Sequence, residues 1–262
     1  MTYRLNGHPL DDTRFGWSVR STSKPLVELS QSLSTVNRRG KHGAASPVHG
    51  TLEVPTLLLV INTPREHRRT LQALVRSGGI LTSSYDPGEV EVEFVSATPT
   101  GYGNADAFID LAVIFRAPTA LARADLVTSK VVAITSATTV APGLFPGLSA
   151  EVQDAVVRVK GACTGLQVTD SSGAWFTFDA VAANEYLRFH ADTGRAYITG
   201  GDIWAGGVEV SGRVDFGGPR GVFEIAPAWS ANPAERAGAL TIATASRSSA
   251  SVQVRGRAAY LI

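Results

Sequence analysis

Glu89, Glu91 and Glu93 are spaced two residues apart. Carboxylates a few ångströms apart can divide the roles of general acid and base, or hold a metal ion. Here they alternate with Val90, Val92 and Phe94. On a strand, that alternation places the acids on one face and the apolar residues on the other. The simpler reading is the wet face of an edge hairpin. His190 falls within a strand pattern, and no serine occupies a G-x-S-x-G elbow, so a Ser/His/Asp triad is not supported. Neither H-x-H nor H-E-x-x-H occurs. The single cysteine, Cys163, excludes an internal disulfide framework and a cysteine metal cluster, and reads as a small buried apolar residue. We therefore expect no catalytic residue, no metal ligand and no cofactor, and the chain does not read as an enzyme.

Two further groups point to binding rather than reaction. Trp175, Trp204 and Trp229 raise a carbohydrate reading, because sugar faces stack on exposed aromatic rings. Trp204 lies in the glycine-rich stretch GGDIWAGG and is the candidate glycan contact, with Asp202 as its hydrogen-bonding neighbour. The default for each tryptophan is a core or interface position. The second group is basic: Arg38, Arg39 and Lys41, followed by His42, within VNRRGKHGAASPVHG at 36–50. This stretch lacks the strand–glycine loop–helix context of a phosphate loop. It reads as an exposed loop or hairpin tip of the length that often carries partner contacts.

The elements that must carry these residues are mostly strands. Asn6-Gly7 signals a hairpin, because a type I′ turn needs positive φ at both positions. Phe15, Trp17 and Val19 alternate as in a half-buried strand at 15–21. A strand at 51–61 reads as becoming buried on both faces, with an edge or a bulge at Pro55. Thr63-Pro64-Arg65-Glu66 has the form of a capping box with proline at the first helical position. The helix should run to Ser77 and stop at Gly78-Gly79, with Leu71, Leu74 and Val75 inward and Arg65, Arg68, Arg69 and Arg76 outward. Strands follow at 80–85, 90–95 and 108–115. Residues 118–150 hold one strand pattern, at 130–135, and read as a linker or arm. Beyond 150 come short strands at 155–160, 166–169, 175–178, 186–190, 195–199, 208–214, 221–225, 240–244 and 251–262. Turns lie between nearly every pair, which predicts a sandwich or jelly roll. The expected domains are 1–117, a β domain with one packed helix; 118–150, the linker; and 151–262, an all-strand sandwich.

At 262 residues the chain is long enough for one large or two small domains. Its formal net charge of +1 gives no global field for nucleic acid or an anionic membrane, so neither is expected as a partner. The charged share is 18%, below the usual ~25%, and suits surfaces partly covered by neighbours. The first residues lack the apolar run of a secretory signal, and the apolar run at 55–61 is too short to span a bilayer, so assembly in a cytoplasm is expected.

In order and spacing, these features resemble the distal tail protein (Dit) family of long-tailed, non-contractile bacteriophages. The resemblance is carried by the Asn-Gly hairpin at 4–8, NRRGKHG at 37–43, the single helix at 64–77, DAVVRVKG through SGAWFTF at 154–178, and the closing VRGRAAYLI at 254–262. It implies a tail-tube-like N-terminal β-barrel or sandwich with one packed helix, and a galectin-like C-terminal sandwich. It implies a structural virion protein forming a homo-hexameric ring at the distal tail tip. There the ring would join the tail tube and tape measure to the baseplate hub and receptor-binding proteins, and DNA would pass through its lumen without sequence-specific binding. Arg38, Arg39 and Lys41 would then be lumen or subunit contacts. A sugar-binding role does not carry over: galectin's His-x-Asn-Pro-Arg signature is missing, and Asn232-Pro233 is followed by Ala234. The alternative to the tail role is a carbohydrate-binding adhesion module for host cell-wall glycans.

Overall fold

The computed structural model describes residues 2–23, 51–84, 88–103 and 107–262, with the backbone of 31–32, 36–37 and 44–45. Arg38, Arg39 and Lys41 lie outside the described residues. The chain divides into two compact units, Met1–Ala124 with Tyr260–Ile262, and Asp125–Ala259. Both are antiparallel β structures, and the fold is mainly β with one α-helix among the described residues.

The first unit opens on the expected hairpin. Strands Tyr3–Leu5 and His8–Pro9 pair across Asn6 and Gly7, whose φ angles are 51° and 79°. Asn6 also does something the hairpin rule does not require. Its side-chain amide donates to Gly78 O at 2.8 Å, and its Oδ1 accepts from Ile80 N at 2.8 Å. The turn therefore clamps the chain where it leaves the helix. Strand Tyr3–Leu5 pairs with Gly79–Ser83, which pairs with the first residues of Glu89–Gly103. The later part of that long strand joins a second sheet with Phe108–Arg116, Thr56–Pro64 and Ser18–Val19. Register shifts between Phe94 and Ser96 and between Pro99 and Gly101 mark irregularities along it. The strand runs to Gly103, well beyond the stretch 90–95 expected from its alternation. Leu57, Leu59, Ile61, Leu111, Val113 and Phe115 face inward and meet Tyr3, Leu5, Leu81 and Val92, with Leu71 and Val75 of the helix. Each such side chain contributes about 1.5–3 kcal/mol by leaving water.

Two expectations fail in this unit. Thr63 does not cap the helix. The strand continues through Pro64, a 3₁₀ turn spans Arg65–His67, and the α-helix is Arg68–Arg76 without a side-chain cap. The sheet has taken the cap residues: Thr63 is in register with Ile109, and Arg65 N donates to Ala107 O at 2.9 Å. The strand expected at 15–21 is only Ser18–Val19. Before it, Asp12 accepts from Arg14 N at 3.0 Å, and Phe15 N donates to Asp12 O at 3.1 Å, forming an aspartate-led turn. The Arg14 guanidinium against Asp12 lowers the carboxyl below its ordinary value. Trp17 is buried and stacks on Phe15 with 4.7 Å between ring centroids.

The passage 118–150 carries strands Leu121–Thr128, Val132–Ala133 and Thr138–Leu144. In the second unit, the pieces expected at 155–160 and 166–169 are one strand, Val156–Asp170. Its first half lies between Ser246–Leu261 and Tyr186–His190, with Arg195–Thr199 and Val208–Glu209 beyond. Its second half lies between Gly238–Ala243 and Trp175–Val181, with Thr138–Leu144 and Val214–Gly217 outermost. The strand passes from one layer to the other at Gly161, whose φ is 87°. A Cβ there would strike the carbonyl of Ser249, so both conformation and space demand glycine. Phe176 from one layer stacks on Phe189 from the other at 4.3 Å, and Phe223 meets both edge-on. Trp175 sits on the opposite face from Phe176 and is half-buried. The segment 208–214 is split by a 3₁₀ turn at Ser211–Arg213, and 221–225 forms only a single bridge, Val152 to Ile225.

Candidate functional site

Pairing register assembles a polar face on the second unit. Arg158 is opposite Gln253 on one side and Arg188 on the other; Arg188 is opposite Tyr197, and Tyr197 is opposite Glu209. One row thus crosses five strands. Lys160 and Tyr186 pair in the neighbouring row, and Arg255 lies opposite Val156 on the other side. The alternate positions Val157, Val159, Leu187, Phe189, Val252 and Val254 fill the core, so the polar row faces outward.

Residues 200–207 fold back across this face. The Arg158 guanidinium pairs with Asp202, donates to Gln253 Oε1 at 2.6 Å, and lies 4.1 Å from the centroid of the Trp204 ring. Arg255 lies 5.6 Å from the same ring. Arg188 donates through Nη2 to Gly206 O. A Cβ on Gly207 would press on Ile198 O and on the Arg188 guanidinium, which fixes glycine at that end of the loop. Arg158 is 8% exposed and Arg188 1%. Arg188 Nε is buried without a partner, and no carboxylate forms an ion pair with this side chain among the described residues. Burial, and then the neighbouring Arg158 charge, push Arg188 below its ordinary value.

Trp204, the candidate glycan contact, is half-exposed and lies over Arg158 and Arg255, and Asp202 is the ion-pair partner of Arg158. Trp229 is 82% exposed on a separate loop. The three tryptophans do not form one platform: Trp175 belongs to the other layer, opposite Gly217. The glutamates at 89, 91 and 93 point to solvent, and Glu93 pairs with Arg116. Burial pushes the Cys163 thiol up. Among the described residues, no group of three His, Cys, Asp or Glu side chains could hold a metal ion, and no helix is long and apolar enough to cross a membrane. A shallow groove of about 470 Å³ crosses the Trp175–Val181 layer, lined by Gln167, Thr177, Asp179, Arg213 and Asp215. Asp179 and Arg213 pair at 2.7 Å across it.

His190 lies in the row beside the second unit's polar row, opposite Val156 on one strand and Arg195 on the other. Its Nε2 is buried without a partner, its ring meets Tyr197 edge-on at 5.4 Å, and burial holds it below its ordinary value of 6.5. The folded chain therefore keeps this imidazole neutral where the unfolded chain would protonate it. Stability is retained above pH 6.5 and falls as the pH drops below it, because the unfolded state then binds the extra proton. His190→Phe is expected to flatten that part of a stability–pH profile measured by urea denaturation.

No protein-family model and no curated protein matches the sequence. Solved structures do. The SPP1 Dit (gp 19.1) protein, described as a paradigm of hub adsorption apparatus in phages that infect Gram-positive bacteria, overlays 98% of this chain with 98% of its own at a TM-score of 0.56 and 12% identity. Chains of the phage p2 baseplate in its activated conformation, with calcium and with strontium, cover 97% of each chain at 11% identity, but at a TM-score of 0.37 they add nothing to the assignment. The chain has the fold of the SPP1 Dit protein over nearly its whole length.

Proposed function

We propose that the chain is a non-enzymatic structural subunit of a bacteriophage tail tip, assembled as a ring of six that joins the tail tube to the baseplate hub. The observation that supports this reading is the overlay with SPP1 Dit over 98% of both chains. The ring is assigned to the N-terminal domain, residues 1–117. The sandwich at 151–262 is assigned outward, toward host-adhesion proteins, and the basic residues Arg38, Arg39 and Lys41 to the lumen or a subunit contact. Tape-measure, tube, hub and receptor-binding proteins are the partners of such a ring, and the virion is its location.

One feature of the first unit supports self-association. The outer face of its second sheet carries Leu58, Val60, Ala112 and Ile114, all half-buried in the single chain. A solvated antiparallel sheet ordinarily presents polar residues there. Ile114→Glu is expected to leave the fold intact and to break assembly, since a charge at the centre of an apolar contact has no partner. Electron micrographs of the purified chain test the reading: rings for the wild type and none for Ile114→Glu are expected. An absence of rings from both, together with absence of the chain from purified tails, would refute it.

The second reading, a glycan-binding module, rests on half-exposed Trp204 in its glycine-rich loop. It requires binding on a host-wall glycan array that disappears with Trp204→Ala.

A further inference from the structure

We propose that the arginine face of the second unit beneath residues 200–207 is an oxyanion-binding site, taking a phosphate or carboxylate group, with the Asp202 carboxylate resting in it as an internal stand-in. This inference is independent of the tail reading.

The charge count motivates it. Arg158, Lys160, Arg188 and Arg255 share the face, and the acid paired with them is Asp202. Glu209, at the end of the row, is engaged by Arg195 at 3.9 Å and by the Ser211 hydroxyl at 2.9 Å. Two guanidinium groups on adjacent strands in direct register repel one another, and like charges placed opposite are destabilising without an anion between them. Arg188 makes the case sharper. It is almost fully buried, yet of its donors Nη2 meets one carbonyl and Nε meets nothing. A buried guanidinium left with open donors is costly, and its planar fork matches a carboxylate or phosphate. The aromatic rings of Tyr186 and Trp204 flank Arg158 at 5.3 and 4.1 Å, which suits an anionic group carried on a sugar or polyol.

The cover is built to move. Residues 200–207 begin with Gly200-Gly201 and end with Gly206-Gly207, the latter pair at φ 70° and 101°. Ile203 and Asp202 are exposed, so lifting the loop uncovers the arginines and removes Asp202 without breaking the core. An arriving oxyanion would take the place of the Asp202 carboxylate and add a partner for Arg188.

Calorimetric titration of the full chain with inorganic phosphate, and separately with glucuronate, tests the proposal and distinguishes phosphoryl from carboxylate ligands. Asp202→Asn removes the competing charge and is expected to bind at least one of them about tenfold more tightly than the wild type, the size of one charge-assisted hydrogen bond. Arg188→Gln is expected to abolish binding. If that variant fails to fold, Arg188→Lys, which keeps the charge and loses the fork, is expected to weaken binding about tenfold. No saturable binding to Asp202→Asn up to about 10 mM of either anion, or binding unchanged in Arg188→Lys, would overturn the site.

Discussion

Replacing Asp170 by alanine is expected to destabilise the second unit by about 3–5 kcal/mol, the cost of one buried and three part-buried donors losing their acceptor. Asp170 ends the long strand Val156–Asp170 and is 6% exposed. Its Oδ1 accepts from Ser172 N at 2.8 Å, Ser172 Oγ at 2.6 Å and Ala174 N at 3.0 Å. Its Oδ2 accepts from Ala226 N at 2.8 Å. One carboxylate thus closes the turn at 170–173 and ties it to the segment after Ile225. Alanine removes all four acceptor contacts, while Ala174 N and Ala226 N stay where water reaches them poorly. Asp170→Asn keeps one oxygen and turns an NH₂ toward a donor, so a smaller loss is expected. The urea midpoint of the Asp170→Ala variant measures the effect, and a change under about 1 kcal/mol would mean that the turn is held by its backbone alone.

Phe176→Ala is expected to cost about 3–5 kcal/mol, because the cavity would open between the two layers of the sandwich and neither could collapse into it. Phe176 is fully buried, stacked on Phe189 at 4.3 Å and met edge-on by Phe223 at 5.1 Å. The partially exposed Phe216, 5.7 Å from Phe189, supplies the internal control. Its replacement by alanine should cost much less in the same denaturation experiment. Equal losses at the two positions would contradict the assignment of Phe176 as the contact that joins the layers.

Local signals carried much of the fold. Asn6-Gly7 specifies its own turn, and Tyr186–His190 and Arg195–Thr199 alternate cleanly between turns, so the expected and observed strands coincide. The helix core, Leu71 and Val75, follows from spacing in the same way. What escaped depends on partners far along the chain. The residues Thr63 to Glu66 satisfy the capping-box pattern, but pairing with Phe108–Arg116 competes for the same backbone and wins. Gly161 could be read as a strand breaker, yet it is a corner within one strand, and the reason lies at Ser249 and Ala250. The arginine face shows the same limit. Alternation places Arg158 and Arg188 outside the core, but only the register puts them side by side, and the fold-back of 200–207 lies across them. Trp204 was legible as a candidate from its glycine-rich setting; its stacking on Arg158 was not.

Whether the chain forms the ring of a tail tip is read from the mass of the purified chain in solution, measured by light scattering over a range of micromolar concentrations. A single species of six chain masses is expected, which Ile114→Glu converts to one. A wild-type chain that stays monomeric across the whole range would contradict it.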